Sequence, residues 1–127
     1  MALISLQTVA QTRQTLLSFF SKEVIKLNSD EFRFRLHKAK KARLIDVSSK
    51  EEFRELHIPG SVNYDVLSPE FLERLVSMDK NRTYFIYCRN GKRTESALRL
   101  MEELGFRRVY ALMTGLQGWK GTLARQY

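Results

Sequence analysis

Cys88 is the chain's only cysteine, and it opens the run Cys88-Arg89-Asn90-Gly91-Lys92-Arg93-Thr94. A cysteine that merely packs sits in apolar surroundings, whereas this one has Arg89, Lys92, Arg93 and Gly91 within five residues. Cations and backbone amides at a helix start stabilise thiolate over thiol, and the thiolate is the nucleophile. The same positive cradle attracts an anion, with amides pointing inward at the mouth of a helix and Gly91 allowing a turn that a side chain would block. Such a thiolate can attack an electrophilic sulfur, expel a leaving group and keep the transferred atom as a persulfide. That chemistry calls for no metal and no organic cofactor.

The loop needs a strand before it and a helix after it. Thr83-Tyr84-Phe85-Ile86-Tyr87 is β-branched and aromatic without polar alternation, the pattern of a parallel strand covered on both faces. A helix beginning near Thr94 follows from Ala97, Leu98, Met101 and Leu104, and stops at Gly105. Upstream, Val24–Leu27 reads as a short strand and Asn28-Ser29-Asp30-Glu31 as a helix start. Arg43–Val47 reads as a buried strand, Ser49 caps a short helix, and Ile58-Pro59-Gly60 turns into a strand at Ser61–Tyr64. Ser68-Pro69 predicts a helix to about Ser77, and Val109–Leu112 a last strand before a final helix containing Trp119. Strands alternating with helices predict an α/β fold, a mostly parallel sheet with helices on both faces. Ligands of such sheets bind at the carboxyl ends of the strands, where Cys88 would lie.

Residues 1–22 carry Arg13 and Lys22, no acidic residue, and many Ser, Thr and Gln, a composition shared with organelle transit peptides. Leu3, Leu6, Val9 or Ala10, Leu16 or Leu17, Phe20 and Val24 recur at helical spacing, which favours an amphipathic helix packed on the domain. Phe34 is then expected to meet that helix near Phe19 or Phe20.

At 127 residues the chain is long enough to fold as one domain without disulfides or a metal. Its charge of 22 − 14 = +8 raises the local concentration of anions of every kind. The densest basic stretch, His37–Arg43, lacks interleaved aromatics and reads as a solvated helix end rather than a nucleic-acid patch. One cysteine with only His37 and His57 beside it argues against a disulfide or a zinc site, and a lone thiol suits a reducing compartment such as the cytoplasm. No apolar run approaches the ~20 residues of a membrane span.

The sequence resembles the single-domain rhodaneses, the thiosulfate sulfurtransferase family. The resemblance runs from about residue 24 to 123 through Leu44-Ile45-Asp46-Val47, Glu52-Phe53, His57-Ile58-Pro59-Gly60-Ser61, Asn63, the Cys88–Thr94 loop, Gly105-Phe106, Val109, and Gly115 with Trp119. Cys-x-x-Gly-x-Arg-Ser/Thr is its most specific element. It implies a sheet of about five parallel strands, so that residues 23–127 form a rhodanese-like domain and 1–22 an N-terminal helical extension. It further implies that Cys88 receives the sulfane sulfur of thiosulfate, releases sulfite, and passes the sulfur to cyanide or a thiol. Arg89, Lys92 and Arg93 would position the sulfonate, and the amides of residues 89–93, including Asn90 and Gly91, would hold the persulfide with Thr94 closing the loop. A protein sulfur-relay partner could replace the small donor. Ser48, Leu56 and Thr114 depart from the family's arginine and two glycines, which bears on the sheet edge around Asp46 and on acceptor docking.

Asp46 and His57 are candidates for a supporting shell: Asp46 to orient the loop, His57 as a turn residue, since a thiolate already ionised needs no general base. Trp119 reads as core rather than a ligand platform. Two alternatives remain: a non-enzymatic rhodanese-like interaction module, and a related phosphatase or arsenate reductase, which wraps its oxyanion in Cys-x5-Arg where this chain has Cys-x4-Arg.

Overall fold

The computed structural model describes residues 6–126, and for residues 14–20 the backbone alone. Its elements are α1 (Leu6–Phe20), β1 (Glu23–Leu27), α2 (Ser29–Lys38), β2 (Arg43–Asp46), α3 (Lys50–Glu55), β3 (Val62–Asn63), α4 (Phe71–Ser77), β4 (Thr83–Tyr87), α5 (Lys92–Glu103) and β5 (Arg108–Leu112), followed by a 3₁₀ turn at Gly115–Gly118. The five strands form one sheet in the order β1-β5-β4-β2-β3, with every pairing parallel. The α/β class and the five-stranded parallel sheet agree with the sequence reading.

β4 lies at the centre because its side chains suit two buried faces. Tyr84, Ile86 and Cys88 point to one side, into a core with Phe71 and Leu75 of α4 and Ala97, Leu98 and Met101 of α5. Phe85 and Tyr87 point to the other, meeting Phe32 of α2, Ile58 and, at its margin, Trp119. The period of two thus carries past the strand end and aims Cys88 inward toward α5. Helix starts follow local capping: Asn28 accepts from the Glu31 amide at 2.8 Å, and Ser49 with Glu52 forms a reciprocal capping box.

Three expectations are corrected. α4 begins at Phe71 rather than at Pro69, because Ser68 is spent in a turn: its carbonyl accepts from Phe71 N and its hydroxyl from Glu70 N. No α-helix contains Trp119. Leu116 N and Gln117 N donate instead to the carbonyls of Cys88 and Arg89, which shortens that segment to a 3₁₀ turn ending at Trp119. α1 does form, but Leu6 and Val9 are 90% and 51% exposed, so its first half is not packed on the domain. Leu3 and the side chains of Phe19 and Phe20 lie outside the described residues; Phe34 is 57% exposed, with the Lys38 ammonium 4.6 Å from its ring centre.

Candidate active site

Cys88 follows β4 directly and is completely buried. Its Sγ accepts hydrogen bonds from Gly91 N at 3.1 Å and Thr94 N at 3.4 Å. Donors that converge on sulfur stabilise a negative charge there, and the N-terminus of α5 adds its dipole.

The loop holds this shape because its carbonyls are satisfied on the outer side. Cys88 O accepts from Leu116 N at 3.0 Å and Arg89 O from Gln117 N at 3.2 Å. The amides of Arg89, Asn90 and Arg93 make no hydrogen bond among the described residues. Two glycines permit the close approach. Gly91 has φ +92°, and a Cβ there would lie 2.3 Å from Met113 O. Gly115 has φ +64°, and a Cβ there would lie 2.5 Å from Arg89 C. Asn90 completes the turn, its Oδ1 accepting from Lys92 N at 3.1 Å.

The three loop cations are placed differently from one another. Arg93 makes a bidentate pair with Glu52 at 2.6 and 2.8 Å. Arg89 donates to Leu56 O at 2.6 Å and to Asp46 Oδ2 at 3.4 Å. Lys92 alone is exposed and in no ion pair among the described residues. Two of the three cations thus already face carboxylates, and Lys92 does not. Arg93 holds the Glu52 carboxyl at about 2, well below the usual carboxylate range. Arg93 is itself shifted up, first by Glu52 and also by the charge of Cys88, so its guanidinium lies within the field of the sulfur.

Asp46 is fully buried at the end of β2. Oδ1 accepts from Ser48 N at 2.8 Å while Oδ2 faces Arg89, so one carboxylate ties the β2 exit to the loop. The Nδ1 of His57 donates to Phe53 O at 2.7 Å, the ring stacks on Phe53, and its backbone bridges Ala124. Tyr87, next to the cysteine, is held neutral by burial, and its hydroxyl joins Ile58 N and Ser61.

A rhodanese-like domain model matches residues 29–122, which is most of the chain. The chain belongs to the rhodanese-like domain family. Among curated relatives, a Bacillus subtilis protein named as a sulfur carrier, YrkF, is 28% identical over 75% of this chain, which spans half of that relative's length. The Coxiella burnetii thiosulfate sulfurtransferase GlpE is 28% identical over 61% of this chain and 70% of its own. The crystal structure of a rhodanese-like domain protein from Staphylococcus aureus superimposes with a TM-score of 0.69 at 23% identity, covering 80% of this chain and 98% of that one, a likeness of fold.

The rhodanese-like scaffold accommodates the three departures locally. Ser48 is buried; its amide serves Asp46, its carbonyl accepts from Asn63, and its hydroxyl has no hydrogen-bond partner. Leu56 contributes the carbonyl that grips Arg89. Thr114 turns its hydroxyl onto Gly115 O and fills the space that Gly118 leaves by having no side chain. The sequence reading missed two participants: Glu52 as the partner of Arg93, and the Met113–Gln117 turn as the outer wall of the loop. Glu52 stood in the sequence only as part of the Glu52-Phe53 match, and nothing local marks a pairing across 41 residues.

Proposed function

We propose that this rhodanese-like protein is a sulfurtransferase in which Cys88 is the nucleophile. The Sγ thiolate attacks the outer sulfur of thiosulfate, the sulfur–sulfur bond breaks, and its electron pair leaves with sulfite. Cys88 is left as a persulfide. A cyanide or thiolate acceptor then takes the outer sulfur, and the electron pair of the broken bond returns to Sγ. The observation that carries this reading is the pair of amides from Gly91 and Thr94 on Sγ, backed by the further unpaired amides of Arg89, Asn90 and Arg93. Such donors suit the anionic outer sulfur of a persulfide. The Thr94 hydroxyl is buried without a hydrogen-bond partner, on the residue whose amide reaches Sγ, and is a further donor for the carried atom.

Lys92 is the exposed cation at the loop and is the proposed first contact for the sulfonate, with Arg89 and Arg93 joining as Asp46 and Glu52 yield. Because Cys88 is sealed in the resting structure, donor binding has to open the loop around it. A partner protein's persulfide would serve equally as donor, since the attack is the same; the name of the YrkF relative supports a relay of this kind. The single thiol and its persulfide suit the reducing cytoplasm. Residues 1–22 are read as an N-terminal extension of the domain that carries Cys88.

A phosphatase reading has less support. That chemistry wraps a tetrahedral oxyanion in Cys-x5-Arg, whereas Cys88 to Arg93 is Cys-x4-Arg, a ring one residue tighter that suits a single sulfur atom better. Incubation of the purified protein with thiosulfate and cyanide tests the proposal: thiocyanate should form, and an aryl phosphate should not be hydrolysed. The reverse outcome would overturn the assignment.

A further inference from the structure

Charge is handled differently at the two edges of the sheet. At the carboxyl edge, Arg89 and Arg93 are matched by Asp46 and Glu52. At the amino edge, an open cavity of about 630 Å³ is lined by Lys40, Lys41, Arg82 and Arg108, with Asp79 as the one carboxylate. None of these four cations is in an ion pair among the described residues.

Two of the four are nevertheless held in place. Arg82 Nε donates to Lys41 O at 2.8 Å. Arg108 donates to Thr83 Oγ1 at 3.2 Å and to Asn81 O at 2.9 Å. Neutral oxygens fix the guanidiniums without cancelling their charge, so the forks are pre-oriented for an anion. Lys40 and Lys41 are exposed on the turn between α2 and β2 and can close over a ligand. In sequence Lys40 and Lys41 looked like part of a solvated helix end; the fold adds Arg82 and Arg108 from two other strand entrances.

We infer that this cavity binds a compact polyvalent oxyanion of the phosphate type, at a site separate from Cys88. Thr83 lines it and begins β4, while Cys88 follows the other end of that strand, roughly 16 Å away at about 3.3 Å per residue. Four positive charges against one negative select a ligand carrying several negative charges. Its volume is that of a small-molecule site. The lining has no aromatic side chain, so there is no platform on which a base would stack, and the recognised feature is the phosphate chain itself.

Calorimetric titration of the full chain with inorganic tripolyphosphate tests the site. Saturable binding at low salt is expected, weakening as salt is raised. Reversing the charges of the exposed pair, Lys40→Glu with Lys41→Glu, should weaken it by more than about tenfold, since each reversal turns an attraction into a repulsion. Lys50→Glu, beyond the opposite edge, should change it less than about twofold when compared at about 0.1 M salt, where the Debye length falls to about 10 Å. The double variant should keep the far-ultraviolet circular dichroism of the wild type, which shows that it folds. The absence of saturable binding, equal weakening by Lys50→Glu, or binding of an oligothymidylate without binding of tripolyphosphate would each overturn the inference.

Discussion

Both Nη atoms of Arg93 meet the carboxylate of Glu52, at 2.6 and 2.8 Å, across 41 residues of sequence. Glu52 is at the same time the third residue of α3 and closes its capping box, its Oε1 accepting from Ser49 N at 3.0 Å. Arg93 stands one residue before Thr94, whose amide touches the sulfur. A single carboxylate therefore ties the start of α3 to the start of α5 and fixes the loop between them.

Glu52→Gln keeps the shape and removes the charge. The two charge-assisted bonds to Arg93 become ordinary ones, and the variant is expected to lose about 1–2 kcal/mol of stability. Denaturant unfolding measures it. A loss indistinguishable from zero would mean that the pair contributes nothing to holding the loop.

The same pair predicts a pH dependence with a definite sign. Glu52 has its carboxyl lowered to about 2 in the folded protein by Arg93, while the unfolded chain titrates near about 4.3. Between those values the unfolded state binds more protons, so stability rises with pH there. The contribution is complete above the unfolded value and is lost as pH falls toward 2. Glu70 and Glu95 are also lowered, by Ser68 and Lys26 respectively, so the whole protein shows a larger slope. The difference between wild type and Glu52→Gln isolates Glu52: it should shrink between pH 5 and pH 3, and a difference that grew on acidification would contradict the assignment.

Arg93→Ala leaves Glu52 negative beside the loop, with Arg89 Nε at 4.0 Å as its remaining cation. Thiosulfate should then meet repulsion, raising KM by about tenfold or more with a smaller change in kcat. Arg93→Lys should recover only part of the effect, because an ammonium cannot reproduce the two-pronged contact. Steady-state kinetics on both variants decides between this and a purely structural role, for which KM would not move.

Gly91→Ala should cost several kcal/mol, roughly 2–4, since φ is positive and the new Cβ would collide with the backbone of Met113. Gly60→Ala is a useful comparison: its φ is also positive, but nothing lies within 4 Å of a Cβ there. Thermal unfolding should rank Gly91→Ala as clearly the worse, and a reversed order would mean that the loop relaxes away from Met113.

The central strand, the Cys88–Thr94 loop and the helix after it were legible because each is written locally: Thr83–Tyr87 has no polar alternation, Gly91 marks the turn, and Ala97, Leu98 and Met101 repeat with helical spacing. Asp46 was legible for the same reason, as an acid at a strand end. What remained hidden depends on distant groups. The segment around Trp119 was expected to be a helix, yet the amides of Leu116 and Gln117 are captured by Cys88 O and Arg89 O, which no local pattern announces. Arg89 and Arg93 read as free cations until the fold brings Asp46, Leu56 and Glu52 to them. Lys40 and Lys41 became part of a cavity only once Arg82 and Arg108 arrived from other strands.

Cys88→Ser should abolish sulfur transfer while costing only about 1 kcal/mol, because the hydroxyl oxygen can still accept from Gly91 and Thr94. The most direct measurement is the intact mass of the protein after exposure to thiosulfate and removal of excess donor. Wild type should gain one sulfur atom, located to the peptide containing Cys88 and discharged by cyanide, and the serine variant should gain none. An unchanged wild-type mass, or a gain that persists in the serine variant, would contradict a persulfide carried on this cysteine.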